Sequence, residues 1–292
     1  MYMRLLFYFL LYPLSLLPLP LLYGISRLFY WIIYYMVKYR ENVIEQNLKN
    51  SFPELNVHER QKIKKNYYKH LAELAAEMIK MLTISRKSVM KRYKCMNPEL
   101  VNTYFDKKQS IILMSSHFNN WEWMVLSLAM QFKYRGVGVG APNSNKVFEK
   151  LINRVRTRYG TEVIFADHIR EDFLKSASGE QLTAYMMLCD QSPAKLNSSY
   201  ITTFLQQPTA VIFGGEHYAK KYNFPVFYYQ VNKQKRGYYE IDLQLITDTP
   251  NEFSHGTITE QYLTLLEKTI REQPAFWLWS HKRWKHNVAI TN

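Results

Sequence analysis

His117 and Glu122 stand five positions apart in Ser115-Ser116-His117-Phe118-Asn119-Asn120-Trp121-Glu122, directly after the apolar run Ile111–Met114. An imidazole beside a carboxylate can take a proton from a hydroxyl, because the carboxylate fixes the ring's tautomer and supports the imidazolium that forms. Five residues across a turn let the carboxylate fold back onto the ring. Spacing alone carries little weight: eight His and 24 acidic residues in this chain give about 0.7 such pairs by chance. His255 and Glu260 match too, but no apolar strand precedes them. The plain alternative for His117 is a buried, hydrogen-bonded histidine at a strand end.

To position that pair, the chain must supply a strand end and a helix start. The patterning predicts strands at Ile111–Met114, Gly136–Val139, Val163–Phe165, Thr183–Leu188, Pro225–Val231 and Tyr238–Leu245. It predicts helices at Trp121–Phe132, Lys146–Tyr159, Thr209–Tyr222 and Ile258–Arg271. Residues 58–83 read as an amphipathic helix with Ile63, Tyr67, Leu71, Leu74 and Met78 on one face and lysines on the other, solvated or facing lipid headgroups. Strands alternating with helices make the fold α/β, and in such sheets ligands bind beyond the carboxyl ends of the strands.

The N-terminus is different. Residues 5–26 carry no charge, and a second apolar run follows at Leu28–Val37. The length suits a bilayer-spanning helix, although Pro13, Pro18 and Pro20 break or kink a continuous one. A signal peptide fits poorly, since no small-residue cleavage site follows; a buried core helix is the other alternative. Residues 1–40 are therefore expected to be a membrane anchor, inserted or interfacial, flanked by Arg27, Lys38 and Arg40, with residues 41–292 forming the folded domain.

Composition narrows the class. The 292 residues include 38 Lys+Arg and 24 Asp+Glu, a net charge of +14, with 47% hydrophobic residues. Such a chain builds a core, which excludes intrinsic disorder. Two cysteines, Cys95 and Cys189, exclude a disulfide scaffold and lack zinc-ligand spacing, so no metal site is expected. The positive balance suits anionic lipid, an acidic protein or nucleic acid. A basic membrane-tethered binding protein is thus a rival, but no helix-turn-helix spacing, RNP pattern or zinc finger supports nucleic acid as a partner.

The His-x4-Glu pair after IILMSS resembles the His-x4-Asp/Glu motif of lysophospholipid acyltransferases, and the surrounding sequence resembles the bacterial lipid A biosynthesis acyltransferases. YRENVIEQNLKNSFPEL (Tyr39–Leu55), NRVRTRYG (Asn153–Gly160), CDQSP (Cys189–Pro193) and WLWSHKRWK (Trp277–Lys285) match that branch in the same order. The chain departs from it at Gly140-Ala141-Pro142-Asn143, where many members carry Tyr-Arg-Pro.

The resemblance implies a mixed, mostly parallel sheet flanked by helices, as in glycerol-phosphate acyltransferases. It implies transfer of a fatty acyl group from an acyl carrier protein thioester to a hydroxyl of a lipid A precursor or related glycolipid, at the bacterial inner membrane with the domain facing the cytoplasm. An aminolipid, a phosphatidylinositol mannoside or an aryl polyene is an alternative acceptor. No cofactor is implied beyond the thioester donor, carrier protein or CoA. His117 is then the general base and Glu122 its orienting acid. Arg156, with Arg154 and Arg158 beside it, or backbone N–H groups near Gly214 and Gly215, would face the oxyanion. Asn119 joins the substrate-binding set, and Asp190, ending an apolar strand, would hold an arginine. Trp277, Trp279 and Trp284, with Lys282, Arg283 and Lys285, sit either at headgroup level or in the core.

Overall fold

The computed structural model describes residues 5–289, so Arg4, which bounds the uncharged run, lies outside them. Eleven α-helices occur among them: α1 (Tyr12–Leu16), α2 (Leu19–Trp31), α3 (Glu41–Ser51), α4 (Val57–Met81), α5 (Arg86–Arg92), α6 (Glu99–Asp106), α7 (Trp121–Gln131), α8 (Lys146–Arg156), α9 (Ile169–Ala177), α10 (Gly214–Tyr222) and α11 (Thr257–Glu272). The strands are β1 (Tyr93–Cys95), β2 (Ile111–Ser115), β3 (Arg135–Gly140), β4 (Glu162–Phe165), β5 (Thr183–Leu188), β6 (Ser199–Phe204), β7 (Gln207–Ile212), β8 (Val226–Lys235) and β9 (Tyr238–Thr247).

Seven strands form one sheet in the order β1-β9-β8-β2-β5-β3-β4, in which only β8 and β9 pair antiparallel. The expected mixed, mostly parallel sheet is therefore present. Strand β2 lies at its centre with every residue buried, because helices cover both faces. Its side chains alternate: Ile111 and Leu113 enter one core with Met186, Phe227 and Trp123, while Ile112 and Met114 enter the other with Tyr185, Tyr228 and Tyr262. Burying each such large side chain stabilises the fold by roughly 1.5–3 kcal/mol.

Three expectations change. First, Thr209–Tyr222 is not one helix. Thr209–Ile212 belongs to β7, which pairs antiparallel with β6, and α10 begins at Gly214. Pro208 and the β-branched Thr209, Val211 and Ile212 favour extended backbone, and the hairpin turns through Leu205 and Gln206, both at positive φ. Second, Lys64 is not on a solvated face. It is buried between α4 and α3, paired with Glu41 at 2.9 Å and Glu45 at 2.6 Å.

Third, no helix among the described residues is long and apolar enough to cross a membrane. The uncharged run breaks at Leu17–Pro18, whose extended backbone (ψ 145°) separates α1 from α2. Helix α2 instead lies along the folded body. Its inner face buries Leu19, Leu22, Tyr23 and Ser26, while Leu21, Ile25, Leu28, Phe29 and Trp31 remain exposed. Lys80 Nζ on α4 donates to the carbonyls of Ser15 at 2.8 Å and Leu17 at 3.0 Å at the end of α1, and the Thr83 hydroxyl also donates to Ser15, which holds the break against the domain.

Candidate active site

Strands β2 and β5 are parallel neighbours with Ser115 opposite Leu188. Two residues further on, His117 and Asp190 meet. The carboxylate Oδ1 accepts from His117 Nδ1 at 2.8 Å, and Oδ2 accepts from the His117 backbone N–H at 3.0 Å. The Trp277 indole N–H also donates to Oδ2, at 2.9 Å. With Nδ1–H committed to Asp190, the neutral ring presents the Nε2 lone pair outward. The His117 side chain is 17% exposed and Asp190 is 1% exposed. Burial opposes the Asp190 charge, but the His117 imidazole and the donors from His117 and Trp277 outweigh it and hold the carboxyl below its ordinary value.

Glu122 is not the partner of His117. It lies in the first turn of α7, where the helix N-terminus favours a carboxylate, and it binds Arg156 of α8 in a two-pronged ion pair. Arg156 Nε donates to Oε2 at 2.8 Å and Nη2 donates to Oε1 at 2.6 Å. The expected roles are thus exchanged: Asp190 holds the histidine and Glu122 holds the arginine. Arg156 stays charged, since Glu122 more than offsets the cost of its burial.

The other expected residues divide. Asn119 sits at φ 57° in the turn, fully buried, with its amide nitrogen donating to the Val231 carbonyl at 2.8 Å. It shapes the turn, and its Oδ1 is buried without a hydrogen-bond partner among the described residues. Arg154 is exposed and makes no ion pair among the described residues, as its place two residues from Arg156 on a helix requires. Arg158 donates to the carbonyls of Met81, Leu82 and Ile84, closing the C-terminal end of α4. Gly214 and Gly215 are close-packing positions: added Cβ atoms would lie 3.3 Å from Met187 Cε and 3.1 Å from Met114 Cε. Glu216 is buried and accepts from the Gly256 and Thr259 backbone N–H groups at the start of α11.

Trp277 and Trp279 pack in the core, with Arg283 buried beside them. They belong to a terminal segment that straps the site. Phe118 bridges Trp277, and Asn119 N donates to the Phe276 carbonyl at 2.9 Å. From the other end of the chain, Arg40 donates to the Ser280 carbonyl, and the Asn47 amide donates to the carbonyls of Trp279 and His281. The N- and C-terminal motifs are therefore two halves of one clasp. Sequence reasoning missed Trp277 as a hydrogen-bond donor. Its only signal was a tryptophan within a His- and Arg-bearing terminal motif.

The arrangement is a half-buried base oriented by Asp190 and, held by Glu122 five residues further along the same segment, the guanidinium of Arg156. That set suits abstraction of a hydroxyl proton beside an anionic group. No curated protein matches the chain significantly. A sequence model described as bacterial lipid A biosynthesis acyltransferase matches residues 1–286, nearly the whole chain and all the site residues above, and the chain belongs to that acyltransferase family.

Proposed function

We propose that this protein transfers a fatty acyl chain from an acyl carrier protein thioester to a hydroxyl of a lipid A precursor, with His117 as general base. The observation that carries the reading is the His117–Asp190 pair, with Nε2 left free on the exposed side. In the step, the acceptor O–H gives its proton to Nε2 while its oxygen attacks the thioester carbonyl. Asp190 supports the imidazolium, and Arg156, fixed by Glu122, faces the developing negative charge or a substrate phosphate. Collapse of the tetrahedral intermediate breaks the C–S bond. The departing thiolate takes the proton back from His117, leaving an ester and a free thiol.

The same reading gives the exposed outer face of α2 a lipid surface. Arg27 and Lys38 flank that face, and Arg236 stacks over the Tyr23 ring, so basic groups border it where anionic headgroups would lie. Seated this way, the site works at the membrane that holds its acceptor, on the cytoplasmic side where the carrier protein is found.

Incubation of the purified protein with acyl carrier protein thioesters and a deacylated lipid A precursor, followed by mass spectrometry, tests the proposal. The expected product is heavier by one acyl group, and His117→Ala makes none. Product from His117→Ala at the wild-type rate rejects the base, and an unmodified precursor with the wild-type protein rejects the acceptor. Flotation with anionic vesicles tests the surface: Leu21→Asp with Ile25→Asp should release the protein, and retained binding rejects that face.

A further inference from the structure

A second carboxylate close to the turn takes no part in the chemistry above. Glu77 of α4 is fully buried, and three elements distant in sequence donate to its carboxylate. Tyr23 of α2 donates to Oε1 at 2.7 Å, while Tyr239 of β9 at 2.7 Å and the Asn120 amide at 2.6 Å donate to Oε2. Its backbone carbonyl also accepts from the Trp123 indole at 3.1 Å. A buried carboxylate is costly, and apolar replacements of such groups are often neutral or stabilising, so packing does not account for it.

Asn120 explains what it does. This residue caps α7: its Oδ1 accepts from the Trp123 backbone N–H at 2.9 Å. In that orientation its buried amide nitrogen needs an acceptor on the other side, and Glu77 is that acceptor, which holds the amide in its capping orientation. The cap sets where α7 starts, and α7 carries Glu122 into its bond with Arg156. Asn120 also lies three residues after His117.

We propose that Glu77 is a positioning residue for the His117–Glu122 turn, acting through the Asn120 cap. The same carboxylate joins that turn to α2 through Tyr23, so the apolar helix and the active turn share one buried anchor. The inference rests on the acyl-transfer reading for its kinetic arm only.

Three single variants and one pair test it, with kcat and KM for acyl transfer and amide exchange over residues 117–124 as readouts. Glu77→Gln keeps an acceptor for Asn120 and Tyr239 and turns its nitrogen to the Tyr23 hydroxyl; kcat should stay within about threefold of wild type. Glu77→Met keeps the bulk without acceptors; kcat should fall about tenfold to hundredfold with KM little changed. Asn120→Ser keeps a cap but loses Glu77, and should lower kcat about tenfold. In the Glu77→Met/Asn120→Ser pair the losses should not multiply, because both remove one bond.

Exchange over residues 117–124 should quicken in Glu77→Met and Asn120→Ser and stay native in Glu77→Gln. Wild-type kcat and exchange in folded Glu77→Met, or multiplicative losses in the pair, overturn the proposal. Should Glu77→Met not fold, a loss in Glu77→Gln equal to that in Asn120→Ser overturns it, and rescue by Glu77→Gln upholds it. Should the wild-type protein transfer no acyl chain, the acyl-transfer reading falls and the exchange pattern decides this one.

Discussion

His117 and Asp190 each lie two residues past Ser115 and Leu188, a register pair of adjacent parallel strands, and this offset closes a 2.8 Å bond between residues 73 apart in sequence. Parallel strands deliver equal offsets to the same level at one edge of the sheet. The geometry therefore makes Asp190 the group that sets the tautomer of the base. Asp190→Asn should fold and lower kcat by about a hundredfold to ten-thousandfold, because an amide in that place no longer enforces Nδ1–H. Single-turnover acyl transfer measures it, and a loss below threefold would sink the assignment.

Arg156 and Glu122 form a planar, two-bond pair that lysine cannot reproduce. Arg156→Lys keeps the charge and should still lower kcat/KM about tenfold to hundredfold. Glu122→Gln should cost a similar factor, and the double variant should cost less than the product, as groups acting as a unit do. Strictly multiplicative losses would show that the two act separately.

Stability should decline in mild acid. Burial holds His70 well below its ordinary value of 6.5 and lowers His281 to about 4, against the opposing pull of Asp190. In both cases the unfolded chain takes up a proton before the folded one. Their contribution is complete above pH 6.5, shrinks as pH falls below it, and for His281 is gone near pH 4. Asp190 acts in the same direction at lower pH, since its folded value lies below the unfolded one. The melting temperature should drop between pH 7 and pH 4.5, at a shallower slope in His281→Gln, whose amide oxygen can still accept from Ser192 N. An unaltered slope in that variant would remove His281 from the account.

Two glycines of β3 should respond oppositely to alanine. A Cβ at Gly136 would lie 2.8 Å from the Ala129 backbone nitrogen and 3.0 Å from its Cα, so the main chain of α7 blocks it. Gly136→Ala should destabilise by about 1–3 kcal/mol. At Gly138 the nearest atom is Val125 Cγ1 at 3.4 Å, an ordinary contact, and Gly138→Ala should be neutral or slightly stabilising. Urea denaturation of both compares them directly, and equal effects would contradict the packing of α7 on β3.

Local periodicity located β2, β5, α7 and α11 to within a residue or two, since alternation and helical spacing report burial directly. It failed at β6 and β7, where the turn uses Leu205 and Gln206 at positive φ and no glycine marks it. It also assigned His117 the carboxylate nearest in sequence.

Composition and pattern by themselves determined that this chain makes an α/β sheet and that a histidine follows a buried strand with Glu122 five residues on, while Arg156 and Asp190 came from the family resemblance. Which of those groups touch was decided by tertiary packing. Placing β5 beside β2 brings Asp190 to His117, and the start of α7 turns Glu122 away to Arg156. Spacing along a chain records distance through bonds, whereas an ion pair depends on distance through space, and only the packed sheet converts one into the other.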